Sequence, residues 1–524
     1  MSERRCGPLG VPVVAGPEHL APGLGERLGR PGEPPYTRGI HETMYRARRW
    51  TIRQLAGYGT AADTNQRLRL LLDRGATGIN TVFDYPSLRA FDSDDPRAEP
   101  DVGRGGVAVD VTADFEDLLH GIRIEDVSVS LVSSQPIGAV PHLAMFLTTA
   151  NRRGVPWSAL RGTSQNDFLM ETCITIGPAA LPPAAAFRLE CDLALFCIEA
   201  VPHWNPVSVA AYNYREAGAD IVLEVALAIA HGRAVAEALV ARGIEPDRAA
   251  RAITFFFSAH IDLFQEVAKF RAARRIWHDV AKRHVGCRDP RSTRLRFHAQ
   301  TSGTTFTSGL PLANIGRGAI EGLAAIAGGA QSLHVNGFDE AFAIPTEQAA
   351  TLALETQQML LHEAGIGDSA DPFGGSYLVE HLTDQIEEQV QETLAVIDAK
   401  GGIVEAAETG WLHEELGRRA YEDHLALGRR RALAEDDHHD DRGDIEVFTL
   451  PSGTRDRQRA RLEETRAARD ADEARRRLDG LVIDAAAGRA VMPTTIDAVA
   501  AGATLGEIGT ALREALGTWT IPVL

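Results

Sequence analysis

Four arginines crowd the stretch YRARRWTIRQLAG (45–57): Arg46, Arg48, Arg49 and Arg53. A guanidinium stays charged and presents a fork of donors that matches phosphate oxygens. Tyr45 and Trp50 beside them offer ring faces to an adenine or a thin amide arm. A plain basic surface strip is the other reading. A second stretch, GTSQNDF (162–168), gathers Thr163, Gln165, Asn166 and Asp167 behind a glycine. That hydrogen-bonding capacity suits a neutral polar ligand; a helix start capped by Thr163 or Asn166 would use the same residues. A third, RFHAQTSG (296–303), is followed by GGAQSLHVNGFDEAFAIPTE (328–347). His298, Gln300, Gln331 and Glu340 lie there among glycines that let backbone approach a ligand closely. No Walker A, GxGxxG after a first strand, HExxH or GxSxG occurs.

These residues sit at the ends of apolar stretches. TGINTVFD (77–84), EDVSVSLV (125–132), NPVSVAAY (205–212), AITFFFSA (252–259), TRLRFHAQT (293–301) and AQSLHVNG (330–337) read as strands. Long periodic helices lie between them, over 219–243, 261–284 and 346–365. Strands recur roughly every 40 residues, room for one strand, one helix and two loops. The pattern predicts an α/β protein with a parallel sheet, and so many units favour a (β/α)8 TIM barrel over an open sheet. Asp84, Tyr212, Asn213, His260, His298 and Gln300 close strands, where barrel enzymes place chemistry. They could equally satisfy backbone groups at strand ends.

The net charge of −18 argues against a nucleic-acid binder and an anionic membrane surface. Five cysteines without CxxC spacing fit a reducing compartment rather than a disulfide framework or structural zinc. No signal peptide and no apolar span of membrane length is present, so the cytoplasm is expected. Residues 1–36, rich in Pro and Gly, predict an extended arm, and 37–424 the barrel. Residues 425–524 predict a charged linker and a mostly helical C-terminal segment. His438 and His439 stand in the charge run LAEDDHHDDRGD (433–444), which is too uniform for a metal cage; no metal is expected. TRDRQRARLEETRAARDADEARRRLDGL (454–481) predicts one charged helix lying on a surface or against a partner.

Longer strings carry a resemblance. PYTRGIHETMYRARRWTIRQLAGYGTAADTNQRLRLLLDRGATGINTVFDYPS, DSDDPRAEPDVGRGGVAVD (92–110), LRGTSQNDFLMET (160–172), PHWNPVSVAAYNYREAGA (202–219), FQEVAKFRAARRIW (264–277), LRFHAQTSG (295–303) and QSLHVNGFDEAFAIPTE (331–347) closely resemble the methylmalonyl-CoA mutase family. The likeness runs from about residue 35 to 424 and continues more weakly to the end. It implies a TIM barrel threaded by the CoA pantetheine arm, lined by small polar residues, and capped by adenosylcobalamin for a radical 1,2-migration of the thioester group. Carried over by position, Thr43, Met44, Arg48, Thr51 and Arg53 would bind CoA, and Thr163 and Gln165 would lie near the thioester and the pantetheine arm. Asn205, Gln300, Gln331, His298, Glu340 and Ala341 would surround substrate and cofactor. Tyr212, Asn213 and Gln165 would be the catalytic set. The family's cobalamin-domain DxHxxG stretch does not occur here. The expectation is therefore a separate small cobalamin-binding subunit, in a dimer or heterotetramer, as in the two-subunit isobutyryl-, 2-hydroxyisobutyryl- and pivalyl-CoA mutases.

Departures from the family pattern bear on substrate. Thr175 stands where methylmalonyl enzymes carry an Arg for the free carboxylate, Leu55 where they carry Tyr, and Val82 where 2-hydroxyisobutyryl enzymes carry Asp. A buried carboxylate without a partner is costly. The three together suggest a roomy apolar pocket for a branched, uncharged acyl chain, rather than methylmalonyl-CoA or 2-hydroxyisobutyryl-CoA. Asn213 replaces the family His, and Ala211 a Gly; Ala252 replaces a CoA-contacting Arg, with Arg251 one place away. An Asn amide still donates but cannot become cationic. Two readings follow: a mutase tuned to another substrate, or a CoA-binding or assembly subunit with weakened turnover.

Overall fold

Aromatic and β-branched side chains in ITFFFSA fit a pleat covered on both faces, and the segment forms the strand Ile253–Ala259. It is one of twelve strands in a computed structural model that describes all residues except 1–4, 7–8, 11–15, 21, 176, 423–444 and 523–524. In chain order the strands are β1 (Arg5–Cys6), β2 (Leu9–Gly10), β3 (Thr51–Ile52), β4 (Leu55–Ala56), β5 (Gly78–Val82), β6 (Ser128–Val132), β7 (Arg161–Ser164), β8 (Trp204–Asn205), β9 (Val207–Val209), β10 (Ile253–Ala259), β11 (Phe297–Thr301) and β12 (Ser332–His334). β1 and β2 form a short antiparallel pair. The other ten make two five-stranded sheets, ordered β3-β12-β11-β10-β9 and β4-β5-β6-β7-β8. The expected α/β class and parallel pairing are present.

The chain divides into two units. One comprises Met1–Ile52, Val209–Ala406 and Trp411–Phe448; the other comprises Arg53–Ser208, Ala407–Gly410 and Thr449–Leu524. In the first, Phe255, Phe257, Phe297 and Leu333 project from one sheet face into a buried aromatic layer. Phe270 and Trp277 of the helix Leu263–Val280 close that layer, with Phe270 stacked on Phe297 at 4.7 Å and Trp277 edge-on to Phe255 at 5.0 Å. Each such ring contributes about 1.5–3 kcal/mol by leaving water. Lys269 of the same helix is fully buried; its Nζ lies 2.9 Å from Glu224, 2.5 Å from Glu266 and 2.7 Å from the Ser258 carbonyl. In the second unit, Ile79, Val129 and Leu131 are the corresponding apolar face.

Several boundaries differ from the sequence expectation. The strand predicted to 212 stops at Val209, and Tyr212 and Asn213 fall in the first turn of the helix Ala211–Glu216. Residues 293–296 precede β11, because Asp289 caps a 3-10 turn over Pro290–Thr293 through the Arg291 amide. β7, made of Arg-Gly-Thr-Ser, carried no apolar signal. The single helix expected over 454–481 is two, Thr454–Ala468 and Ala471–Ala486, because Asp470 accepts from the amides of Asp472 and Glu473 and starts a new helix. The first of these helices lies on the surface of its own unit. Arg466 pairs with Asp92 and Asp94, Gln458 bridges Asp110 and Asp114, and Leu462 is buried. The charge run 433–444, with His438 and His439, lies outside the described residues.

Candidate functional site

Side chains alternate across a strand, so parallel strands in register line up one row per face. In the second unit, Leu55, Asn80, Ser130, Thr163 and Asn205 form one continuous cross-strand row over β4 to β8. Three of the five, Leu55, Thr163 and Asn205, are sequence candidates; Asn80 and Ser130 are not. The Asn205 amide donates to the Gly162 carbonyl at 3.2 Å, which aims it along the row. Asn80 is buried, and its Oδ1 has no partner among the described residues. A buried acceptor left open costs about 1–3 kcal/mol unless a ligand donor meets it. This row therefore suits an amide-bearing chain.

One step further along the strands, Val82 faces Val132 in register. Gln165 follows β7 and is buried, its backbone N–H donating to the Leu131 carbonyl at 2.8 Å. Thr175 follows a π-turn over Met170–Ile174. Its hydroxyl donates to the Met170 carbonyl at 2.8 Å and accepts from Gln135 Nε2 at 2.6 Å. Arg53 is buried, with its guanidinium on the Ser128 hydroxyl.

In the first unit the rows are Thr51, Ser332, His298 and Phe256, then His334, Gln300 and Ser258. Tyr212 lies flat on Phe256, centroids 4.9 Å apart and planes 7° from parallel. Gln300 Nε2 donates to the Tyr212 hydroxyl and to Asn336 Oδ1, each at 3.0 Å. Asn213, half-buried, adjoins Tyr212. His298 bonds Ser332 at 2.6 Å. Behind Tyr212 gather Glu216, Glu321 and Glu340. Burial, helped by Glu216 and Asp339, pushes the Glu340 carboxyl up to about 8. Burial also raises Glu216 and Glu321, and burial together with these carboxylates holds the Tyr212 phenol well above its ordinary range. Burial lowers His334 to about 3. Near neutral pH, then, Glu340 and His334 carry no charge.

Other candidates lie elsewhere. Ala341 is exposed next to Glu340. Gln331 stands before β12, its Oε1 accepting from the Phe297 amide at 2.9 Å and its Nε2 donating to the Gly329 carbonyl at 2.6 Å, so its amide joins backbone. Met44 is buried against Gly39 and Gly329, while Thr43 is exposed.

Before the N-terminal ends of β10 and β11 lies a basic cluster that sequence reasoning found only in part. Arg251 bonds Ser292 at 2.8 Å and Asp289 at 2.7 Å. Burial, helped by the charges of Arg251 and Arg48, lowers Arg296 to about 10. His41 is held low by burial and by Arg294 and Arg48. Arg294, Arg296 and His41 were missed. The available signal was the spacing of Arg296 ahead of His298 and Gln300, the latter two sharing one face of β11. Among the described residues, no cluster of His, Cys, Asp and Glu could hold a metal ion, and no helix is long and apolar enough to cross a membrane.

Comparison with known proteins completes the description. The family model described as "Methylmalonyl-CoA mutase" matches residues 12–518. The 2-hydroxyisobutanoyl-CoA mutase large subunit of Aquincola tertiaricarbonis is 39% identical over 499 residues, covering 94% of this chain and 88% of the relative. The methylmalonyl-CoA mutase of Cereibacter sphaeroides is 38% identical over 526 residues, covering 97% and 72%. That of Escherichia coli K12 is 37% identical over 506 residues, covering 94% and 69%.

Proposed function

This chain belongs to the methylmalonyl-CoA mutase family, whose members are cobalamin-dependent acyl-CoA isomerases, and from that premise we propose that it is the substrate-binding subunit for a branched, uncharged acyl-CoA. The observation that carries the reading is the in-register row Leu55–Asn80–Ser130–Thr163–Asn205. It gives one sheet face small polar groups and an open acceptor on Asn80, as an amide-bearing pantetheine arm requires.

The finer fold follows from the same reading. Only Arg53 and Gln54 separate β3 from β4, and only Pro206 separates β8 from β9, although each pair is divided between two sheets. The (β/α)8 TIM barrel that the family likeness implies is proposed over 37–424, with 1–36 as an arm and 425–524 as a linker and helical segment. The CoA phosphates lie on Arg48, Arg251, Arg294 and Arg296. The acyl group lies among Leu55, Val82 and Thr175. Val82 offers no hydroxyl partner, and the Thr175 hydroxyl is already engaged by Gln135 and Met170.

Adenosylcobalamin, when bound, supplies the one-electron chemistry that a carbon-skeleton rearrangement needs. The residues fit such a group at Gln300 and Glu340, whose protonated carboxyl can both donate and accept. Tyr212 and Asn213 orient the thioester carbonyl, and the uncharged surroundings exclude competing acid–base reactions. A separate small subunit brings the cofactor. The relative of which the chain covers 88% is itself named a large subunit, which supports that arrangement. Buried free thiols at Cys173, Cys191, Cys197 and Cys287 suit a reducing compartment.

The test mixes the full chain, adenosylcobalamin and a small cobalamin-binding subunit with 13C-labelled isobutyryl-, pivalyl-, 2-hydroxyisobutyryl- or methylmalonyl-CoA. Carbon NMR should show a rearranged skeleton from isobutyryl- or pivalyl-CoA. Rearrangement of methylmalonyl-CoA alone would overturn the substrate class. Binding of acyl-CoA without any rearrangement would leave a non-catalytic subunit.

A further inference from the structure

The C-terminal helix Leu505–Leu516 approaches two loops of the second unit more closely than docking requires. A Cβ on Gly509 would fall 2.5 Å from the Ala90 carbonyl oxygen and 2.6 Å from the Ala90 Cβ, so only glycine lets the helix pass there. Arg513, one turn on, spreads its three guanidinium nitrogens over three carbonyls. Nε donates to Ala179 at 2.9 Å, Nη1 to Ala90 at 3.2 Å, and Nη2 to Arg89. The Phe91 ring lies 4.4 Å from Arg513 Cζ. Farther on, the Trp519 amide donates to the Ala180 carbonyl at 2.8 Å.

Both alanines held by Arg513 have backbone conformations that L-residues rarely adopt, with φ 48° at Ala90 and 61° at Ala179. Such conformations persist only where the surroundings impose them, and Arg513 grips the carbonyl at both. The two loops also meet directly: a Cβ on Gly177 would fall 2.5 Å from Arg89 Nε. One loop follows the short helix Tyr85–Leu88, which β5 enters through Phe83 and Asp84 after Val82. The other leaves the π-turn just after Thr175 and is tied back by the Leu181 amide on Glu171 Oε1 at 2.8 Å.

We propose that Arg513 is a positioning residue for the acyl pocket, holding the loops that follow Val82 and Thr175 at a fixed separation, so that the C-terminal helix sets the pocket's width. This rests on the assignment of Val82 and Thr175 to the acyl group. Arg513 touches no substrate; it acts through Arg89, Ala90 and Ala179. Lysine keeps the charge but cannot place three nitrogens on three carbonyls.

The test measures binding of CoA, isobutyryl-, pivalyl- and methylmalonyl-CoA to the full chain by calorimetry, beside amide hydrogen exchange of 85–91 and 177–181. In Arg513→Ala the spread of Kd values among the three acyl-CoAs should shrink about tenfold while the Kd for CoA itself stays within about twofold. Both segments should exchange about tenfold faster. Arg513→Lys should fall between, and it carries the same comparison if Arg513→Ala does not accumulate. Equal weakening of CoA and every acyl-CoA, or unchanged exchange in the two segments, would overturn the proposal. A wild-type chain that binds no acyl-CoA more tightly than CoA would sink the acyl-pocket assignment itself, and with it the pocket role of Arg513. That result is read before any variant is made.

Discussion

Gln135 Nε2 donates at 2.6 Å to the Thr175 hydroxyl, which in turn donates a hydrogen bond to the Met170 carbonyl at 2.8 Å. The hydroxyl is saturated from inside the protein. Thr175→Val should therefore destabilise the fold by about 1–3 kcal/mol, because the Gln135 amide loses its acceptor. The ratio of kcat/KM for isobutyryl- and pivalyl-CoA should not move. Urea unfolding and competition kinetics check the two halves. A collapse in turnover with unchanged stability would mean that the hydroxyl contacts substrate.

Asn213 adjoins Tyr212, whose hydroxyl accepts from Gln300 at 3.0 Å. An imidazole there can donate and also take a charge, as an amide cannot. Asn213→His should raise kcat about tenfold or more and change KM less than about threefold. Initial rates with the assembled holoenzyme decide it. Unchanged kcat would show that the Asn site is adapted rather than weakened.

Glu340 titrates near about 8 in the fold, against an ordinary 4.5. Between those values the folded chain keeps a proton that the unfolded chain has released. The contribution of Glu340 to stability must then fall as pH rises from about 4.5 to about 8, and level off above. Asp84 and Glu171, each pushed up to about 7 mainly by burial, act in the same direction. Glu340→Gln should remove part of the slope and be the more stable protein at pH 9, by on the order of 1–3 kcal/mol. Urea midpoints at pH 6 and 9 test this. A wild type more stable at pH 9 than at 6 would contradict it.

Arg48 is exposed and lies close enough to Arg296 and His41 to depress the pKa of both. Arg48→Ala should raise KM for acyl-CoA about tenfold at low salt with kcat unchanged, since the interaction is binding alone. High salt should shrink the difference. Arg53→Ala should behave differently. Arg53 is buried on Ser128, so its loss should appear as lower stability as well as weaker binding.

The strands of the first unit were legible because Phe255, Phe257 and Leu333 give continuous apolar signals. β7 was not, because Arg-Gly-Thr-Ser forms a strand only between neighbours that supply its ladder. Tyr212 and Asn213, expected to close a strand, lie in a helix, since Ala211–Glu216 begins without a side-chain cap to announce it. Arg294, Arg296, Asn80 and Ser130 escaped because each is unremarkable alone. Asn80 and Ser130 come to share a face with Thr163 only once the strand register is set. Gln135 and Arg513 act at separations of 40 and 334 residues, which no local pattern encodes.

The alternation along each strand divides the parallel sheets into two inheritances. On β11, Phe297 and Ala299 belong to the buried aromatic side, and His298 and Gln300 to the polar one. Neighbouring codons thus answer to different physical demands, one to the buried apolar layer and the next to the polar face. A descendant could exchange its acyl chain by changing every second residue while the intervening ones kept the scaffold intact.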